Sequence, residues 1–161
     1  MEFLNLQAAL SGLAAALRAR GWRMAAAESC TGGLIAAACT SQAGSSDWFE
    51  RGFVTYSNEA KTTMLGVPAA LITAHGAVSE AVARAMVQGA LQQAPVQLAV
   101  AVTGIAGPGG AVPGKPVGTV WLAWGTAEQV HAERLQLPGD RAAVRGATVA
   151  AALQRLAEAA A

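Results

Sequence analysis

The sequence predicts an α/β domain, a three-layer α/β/α sandwich around a mixed, mostly parallel sheet of about five strands. Three observations carry that prediction. Short apolar runs, clearest in Leu98-Ala99-Val100-Ala101-Val102-Thr103, alternate with longer segments of helical periodicity. Two later runs, 119–124 and 130–137, face each other across Gly125 as a hairpin, which makes the sheet mixed. The 161 residues, 53% hydrophobic and 13% charged, suit one domain over 1–161 that buries roughly 70% of its extended surface.

In chain order, Leu6, Leu10, Leu13 and Leu17 fall on one helical face, and Gly21 stands at the left-handed C-cap position. The run from Trp22 to Ala27, nearly free of polar side chains, predicts a strand covered on both faces. A turn through Glu28-Ser29-Cys30-Thr31-Gly32-Gly33 leads into a helix ending near Cys39 to Gln42. A loop follows, anchored by Trp48 and Phe49, and then a second strand, Phe53-Val54-Thr55-Tyr56. Asn58 is the expected N-cap of the next helix, which Gly66-Val67-Pro68 closes. A helix runs from about Ser79 to Ala94 with Glu80 at its positive end. After the 98–103 strand, the glycine-rich stretch from Gly104 to Gly118 is a long loop of the kind compact domains keep for function. Asp140 caps a terminal helix through about Leu156.

Composition excludes several function classes. Mean hydropathy is positive at +0.37, yet no run of about 18 apolar residues lacks charges or glycines, so no membrane association is expected. The surplus apolar surface predicts a homo-oligomer, with a dimer expected. A net charge of +1 argues against nucleic acid as a partner. Met1-Glu2-Phe3 lacks a basic signal-peptide start, and two cysteines, Cys30 and Cys39, make no disulfide framework, so the expected location is the cytoplasm. No metal-ligand spacing, P-loop or dinucleotide fingerprint is present, and no cofactor is predicted.

Polar residues gather at three predicted strand ends, Glu28-Ser29, Tyr56-Ser57 and Thr103-Gly104, where open α/β sheets carry their sites. His75 and His131 lie away from the glycine turns, which disfavours a Ser-His pair. Against nine arginines the chain holds only two lysines, Lys61 and Lys115. Lys61 near a helix start is disfavoured as a cation by the dipole, which suits a general base, although a solvent-facing lysine also tolerates that position. Arg141 and Arg145, one turn apart at a helix start, suit an anion such as phosphate, or are satisfied by Asp140, Glu133 or water. Ser29 and Thr31 are candidate nucleophile and helix cap, and Cys30 is either a rival nucleophile or an inert buried thiol. Backbone N–H groups at Gly32 and Gly33, or in the loop through Gly104 and Gly107, can meet an oxyanion, although that loop also reads as a plain crossover.

Four ordered motifs, Ala27-Glu28-Ser29-Cys30-Thr31-Gly32-Gly33, Tyr56-Ser57-Asn58-Glu59-Ala60-Lys61, Ala101-Val102-Thr103-Gly104-Ile105-Ala106-Gly107-Pro108-Gly109-Gly110 and Pro116-Val117-Gly118-Thr119-Val120, together resemble the C-terminal domain of the competence/damage-inducible protein CinA. The chain looks like the stand-alone form of that family, which includes nicotinamide-nucleotide amidases. The resemblance implies hydrolysis of the carboxamide of nicotinamide mononucleotide to nicotinic acid mononucleotide and ammonia, in pyridine-nucleotide salvage. It implies Ser29 as nucleophile, Lys61 as its base and Tyr56 in the same hydrogen-bond network. Cys30, Thr31, Gly32, Gly33, Thr103, Gly104 and Gly107 would line the substrate site, and Arg145 with Arg141 would hold the phosphate. The competing expectation is a catalytically inactive nucleotide-binding or regulatory module on the same fold.

Overall fold

The computed structural model describes residues 3–161. Met1 and Glu2, on which the expectation of no signal peptide partly rests, lie outside the described residues. Helix α1 spans Gln7–Arg20 and strand β1 Met24–Glu28; α2 (Leu34–Thr40), β2 (Phe49–Val54) and α3 (Asn58–Leu65) follow. The chain continues through α4 (Ala69–His75), α5 (Glu80–Gln93), β3 (Leu98–Gly104), β4 (Thr119–Gly125), β5 (Val130–Gln136) and α6 (Arg141–Ala160).

The strands form one five-stranded sheet in the order β2-β1-β3-β4-β5. β1 pairs parallel with β2 and β3, whereas β3–β4 and β4–β5 are antiparallel. Four strands therefore point one way and β4 alone is reversed, with two parallel and two antiparallel pairings, the mixed sheet that the hairpin signal predicts. Period-two alternation sends Met24 and Ala26 to one face and Ala25 and Ala27 to the other. On the first face Met24, Ala26, Val100 and Leu122 meet Leu10, Leu13 and Leu17 of α1, Ile35 of α2 and Leu153 and Leu156 of α6. On the second, a floor of Ala25, Ala27, Ala99, Ala101 and Ala123 packs against Leu65 of α3, Ile72 of α4 and Val82 and Met86 of α5. That alanine floor lets α5 settle close to the strands, and the polar ends of β1 and β3 stay level with the start of α3.

Several local expectations are corrected. β1 starts two residues later than Trp22 and includes Glu28. β2 begins at Phe49 because Phe49 pairs with Met24 of β1, and it ends at Val54, so Tyr56 lies beyond it. Trp48 is fully buried as the loop anchor. Ser57, not Asn58, caps α3: its Oγ accepts the Ala60 N–H at 3.0 Å. α4 is an element that the sequence reading lacks. Asp140 caps α6 through the Ala143 N–H at 2.9 Å, and the helix runs on to Ala160. The stretch from Gly104 to Gly118 holds, beyond the end of β3, only the isolated bridge between Val112 and Lys115. No helix among the described residues is long and apolar enough to cross a membrane.

Candidate active site

The turn after β1 is built around a buried carboxylate. Glu28, 1% exposed, accepts the Thr31 hydroxyl at 2.6 Å and the Ile35 N–H at 2.8 Å on Oε1, and the Ala36 N–H at 3.0 Å on Oε2. It therefore supplies the acceptors for the first turn of α2, whose own N-cap, Gly33, has no side chain to do so and sits at φ 109°. This corrects the expectation that Thr31 is the cap; Thr31 is a ligand of the residue that is. The sequence carries a signal for this, an acid at a strand end three residues before a threonine in a turn, but its reach to residues 35 and 36 is a tertiary fact.

Ser29 follows directly, its N–H donating to the Val102 carbonyl at 3.1 Å, so the strand pairing of β1 with β3 fixes its backbone. Across the cavity, Lys61 is 1% exposed and its Nζ lies 3.1 Å from Ser29 Oγ. Nζ also lies 2.9 Å from the Thr55 carbonyl, with the Tyr56 and Ser57 carbonyls at 3.4 and 3.5 Å. The chain bends over the start of α3 so that its carbonyls collect around the amine. Burial holds the Lys61 pKa below the ordinary lysine range, partly offset by the neighbouring Cys30. With its N–H bonds on carbonyls, a neutral amine here has its lone pair free for the Ser29 hydroxyl proton.

Burial, first of all, pushes the Cys30 thiol up to about 11, so the rival nucleophile is held as thiol at neutral pH. Cys39 is buried as well and pushed up to about 12. Thr103 is buried and donates its hydroxyl to the Ala77 carbonyl at 3.0 Å. Gly104 sits where a Cβ would lie 2.6 Å from Val120 Cγ2, so close approach of β4, not backbone conformation, requires glycine there.

The structure brings Ser29, Cys30, Tyr56, Lys61, Thr103, Gly104 and Arg141 around one cavity of about 230 Å³. Thr31, Gly32, Gly33, Gly107 and Arg145 stand outside its lining. The Tyr56 phenol is not joined to Ser29 or Lys61, contrary to the expected network: the side chain is 61% exposed and its hydroxyl accepts from Arg141 at 3.1 Å. Arg141 also donates to the Gly107 carbonyl at 2.9 Å. Arg145 is held by backbone rather than by Asp140 or Glu133, donating to the Cys30 and Thr31 carbonyls at 3.1 and 3.2 Å. The Gly32 N–H is committed to the Ser29 carbonyl at 3.0 Å, which removes it as an oxyanion donor. Lys115, the other lysine, ties the glycine-rich loop to the His75 carbonyl at 2.7 Å, away from Ser29. A second cavity of about 700 Å³ adjoins the first, shares Ala106 and Arg141 with it, and reaches Pro108, Val117 and Arg145. No cluster of metal-ligating side chains occurs among the described residues.

Four residues of the lining are absent from the sequence-predicted site: Asn58, Ala77, Val78 and Ala106. Asn58, read as a cap, lines the cavity. Ala77 and Val78, between α4 and α5, form its wall and carried no sequence signal beyond their place before a capped helix.

The family model described as the CinA C-terminal domain matches residues 7–160. The chain is 56% identical over 140 residues to nicotinamide-nucleotide amidohydrolase PncC of Pseudomonas putida, covering 87% of this chain and 88% of that protein. It is 53% identical over 137 residues to a CinA-like protein of Syntrophobacter fumaroxidans, of whose length it spans 32%. The crystal structure of a competence-damaged protein (CinA) superfamily protein from Klebsiella pneumoniae superposes with a TM-score of 0.90 at 43% identity, over 93% of this chain and 94% of that one.

Proposed function

The chain belongs to the CinA C-terminal domain family, and from that membership we propose that it is a nicotinamide-nucleotide amidase, one amidase domain over residues 1–161. It hydrolyses the carboxamide of nicotinamide mononucleotide to nicotinic acid mononucleotide and ammonia. The observation that carries the mechanism is the 3.1 Å approach of Lys61 Nζ to Ser29 Oγ in a cavity of about 230 Å³ that both residues line.

Neutral Lys61 takes the Ser29 proton as Oγ attacks the amide carbon, giving a tetrahedral oxyanion. Backbone N–H groups of Cys30 and Gly104, both in the cavity wall, are the proposed donors to that oxygen. The C–N bond then breaks and Lys61 returns the proton to the departing nitrogen as ammonia. Water next gives a proton to Lys61 and attacks the ester carbonyl, and Ser29 leaves with that proton, releasing the acid nucleotide. The pyridinium ring withdraws electrons from the amide, so no metal or redox group is required by the chemistry. The nicotinamide end occupies the smaller cavity and the ribose phosphate extends into the larger one, where Arg141 exchanges its Tyr56 partner for phosphate and Arg145 adds its remaining N–H donors.

Pyridine-nucleotide salvage in the cytoplasm is the setting of this reading, and a homodimer its expected assembly. The test is ammonia release from nicotinamide mononucleotide by the purified protein, lost in Ser29→Ala and in Lys61→Ala. Nucleotide binding without release by the wild type overturns the amidase and leaves a binding module.

A further inference from the structure

Among the hydroxyl and charged side chains lining the Ser29 cavity, each has a hydrogen-bond partner in the protein. The Ser29 hydroxyl is met by Lys61, and Thr103 donates to Ala77. The Tyr56 hydroxyl accepts from Arg141, whose other contact is the Gly107 carbonyl. Asn58 is different. It lines the same cavity, and the capping role that its position suggests is filled by Ser57. Its carboxamide therefore enters no hydrogen bond to helix α3, while keeping an acceptor and two donors. It is an exposed residue of the cavity lining. Asn58 is the first residue of α3, three before Lys61 and so a neighbour on the same helix surface. The Ser57 carbonyl beside it lies 3.5 Å from Lys61 Nζ.

We propose that Asn58 is a specificity-determining residue that reads the substrate as a primary amide, its Oδ1 accepting an N–H of the leaving nitrogen. The inference rests on the amidase reading and refines it. A reacting carbon within attack distance of Ser29 Oγ, in a cavity of about 230 Å³, keeps its amide nitrogen beside the cavity wall. Asn58 is the wall residue with an uncommitted side-chain oxygen. A site that offers a hydrogen bond to one substrate group loses it when the analogue lacks that group, which is how such a residue discriminates an amide from an ester.

The test compares kcat/KM for nicotinamide mononucleotide with kcat/KM for the methyl ester of nicotinic acid mononucleotide, which has no N–H at the reacting carbonyl. Both constants report acylation of Ser29. In Asn58→Ala the amide constant is expected to fall about tenfold, the size of one hydrogen bond, and the ester constant to stay within about twofold of wild type. Asn58→Asp, which keeps an acceptor oxygen, is expected to recover most of the amide-to-ester ratio, and the ratio cancels any effect of its charge on Lys61. Equal losses on both substrates overturn the proposal in favour of a general packing role or a contact to the ribose. Unchanged constants on both overturn it outright, as does an Asn58→Asp ratio no better than that of Asn58→Ala. Wild type without activity on the amide is a separate outcome: it refutes the amidase reading and this refinement with it.

Discussion

Replacing Glu28 by glutamine changes one oxygen to NH₂ and nothing in shape, and the consequence can be worked out. Oε1 serves the Thr31 hydroxyl and the Ile35 N–H, and Oε2 serves the Ala36 N–H. Whichever way the glutamine amide turns, its NH₂ faces one of those two backbone N–H groups, and that donor is left without an acceptor. An orphaned buried N–H costs about 1–3 kcal/mol, and the surviving bonds lose charge assistance at about 1 kcal/mol each. Neutralising a buried carboxylate returns part of this through reduced desolvation. The net expectation for Glu28→Gln is about 2–3 kcal/mol of lost stability, which for a domain of this size is a fall in Tm of about 5–10 °C. The loss should be local in origin. Thermal denaturation by circular dichroism reads the total, and native-state hydrogen exchange should show Ile35 and Ala36 losing protection before β3 does. A variant with Tm within about 1 °C of wild type and unchanged exchange at those amides would refute the assignment of Glu28 as the cap of α2.

Two further outcomes follow from the site. In the proposed mechanism the active form of Lys61 is the neutral amine, and burial lowers its pKa, so kcat/KM should rise with pH along a limb whose midpoint lies below the ordinary lysine value of about 10.4. The linked stability effect has a definite sign: between the folded pKa and the unfolded value only the unfolded chain binds the proton, so stability rises with pH across that window and is lowest below the folded pKa. Chemical denaturation from pH 7 upward should show this rise in wild type and not in Lys61→Met; a matching slope in both would remove Lys61 as its source. Separately, Gly104→Ala places a Cβ 2.6 Å from Val120 Cγ2 and should cost about 1–3 kcal/mol by overpacking. Adding Val120→Ala should recover part of that loss, and a double variant whose loss is the sum of the two singles would show that the contact is not the cause.

The parts of the fold legible in the sequence are those whose cause is local. The run from Leu98 to Thr103 reads as a buried strand because it is apolar up to Val102, and α1 reads from its leucine spacing and Gly21, which takes φ 65° at the C-cap. What was missed depends on partners distant in sequence. Glu50 and Arg51 look like loop residues; they are side chains of an edge strand, where they pair with each other, and β2 starts at Phe49 only because β1 lies alongside. α4 has no side-chain cap and is seven residues long, so nothing local announces it. At the site, the scarcity of lysine drew attention to Lys61, while the carbonyls that surround its amine belong to backbone atoms and leave no mark on residue identity. Residue types suggest that Arg145 meets an anion, but not that its Nε and one terminal nitrogen are directed at the carbonyls of the turn that carries Ser29. The motif resemblance pointed to Ser29 and Lys61 together, and the geometry gives a physical reason for that pairing.

The most direct measurement is ammonia release from nicotinamide mononucleotide by wild type, Ser29→Ala and Cys30→Ala side by side, with melting temperatures recorded for all three. The expected result is turnover by wild type and by Cys30→Ala, and a loss of at least about a thousandfold in Ser29→Ala with its Tm near that of wild type. Turnover retained in Ser29→Ala and lost in Cys30→Ala would contradict the serine mechanism and transfer the nucleophile to the neighbouring thiol.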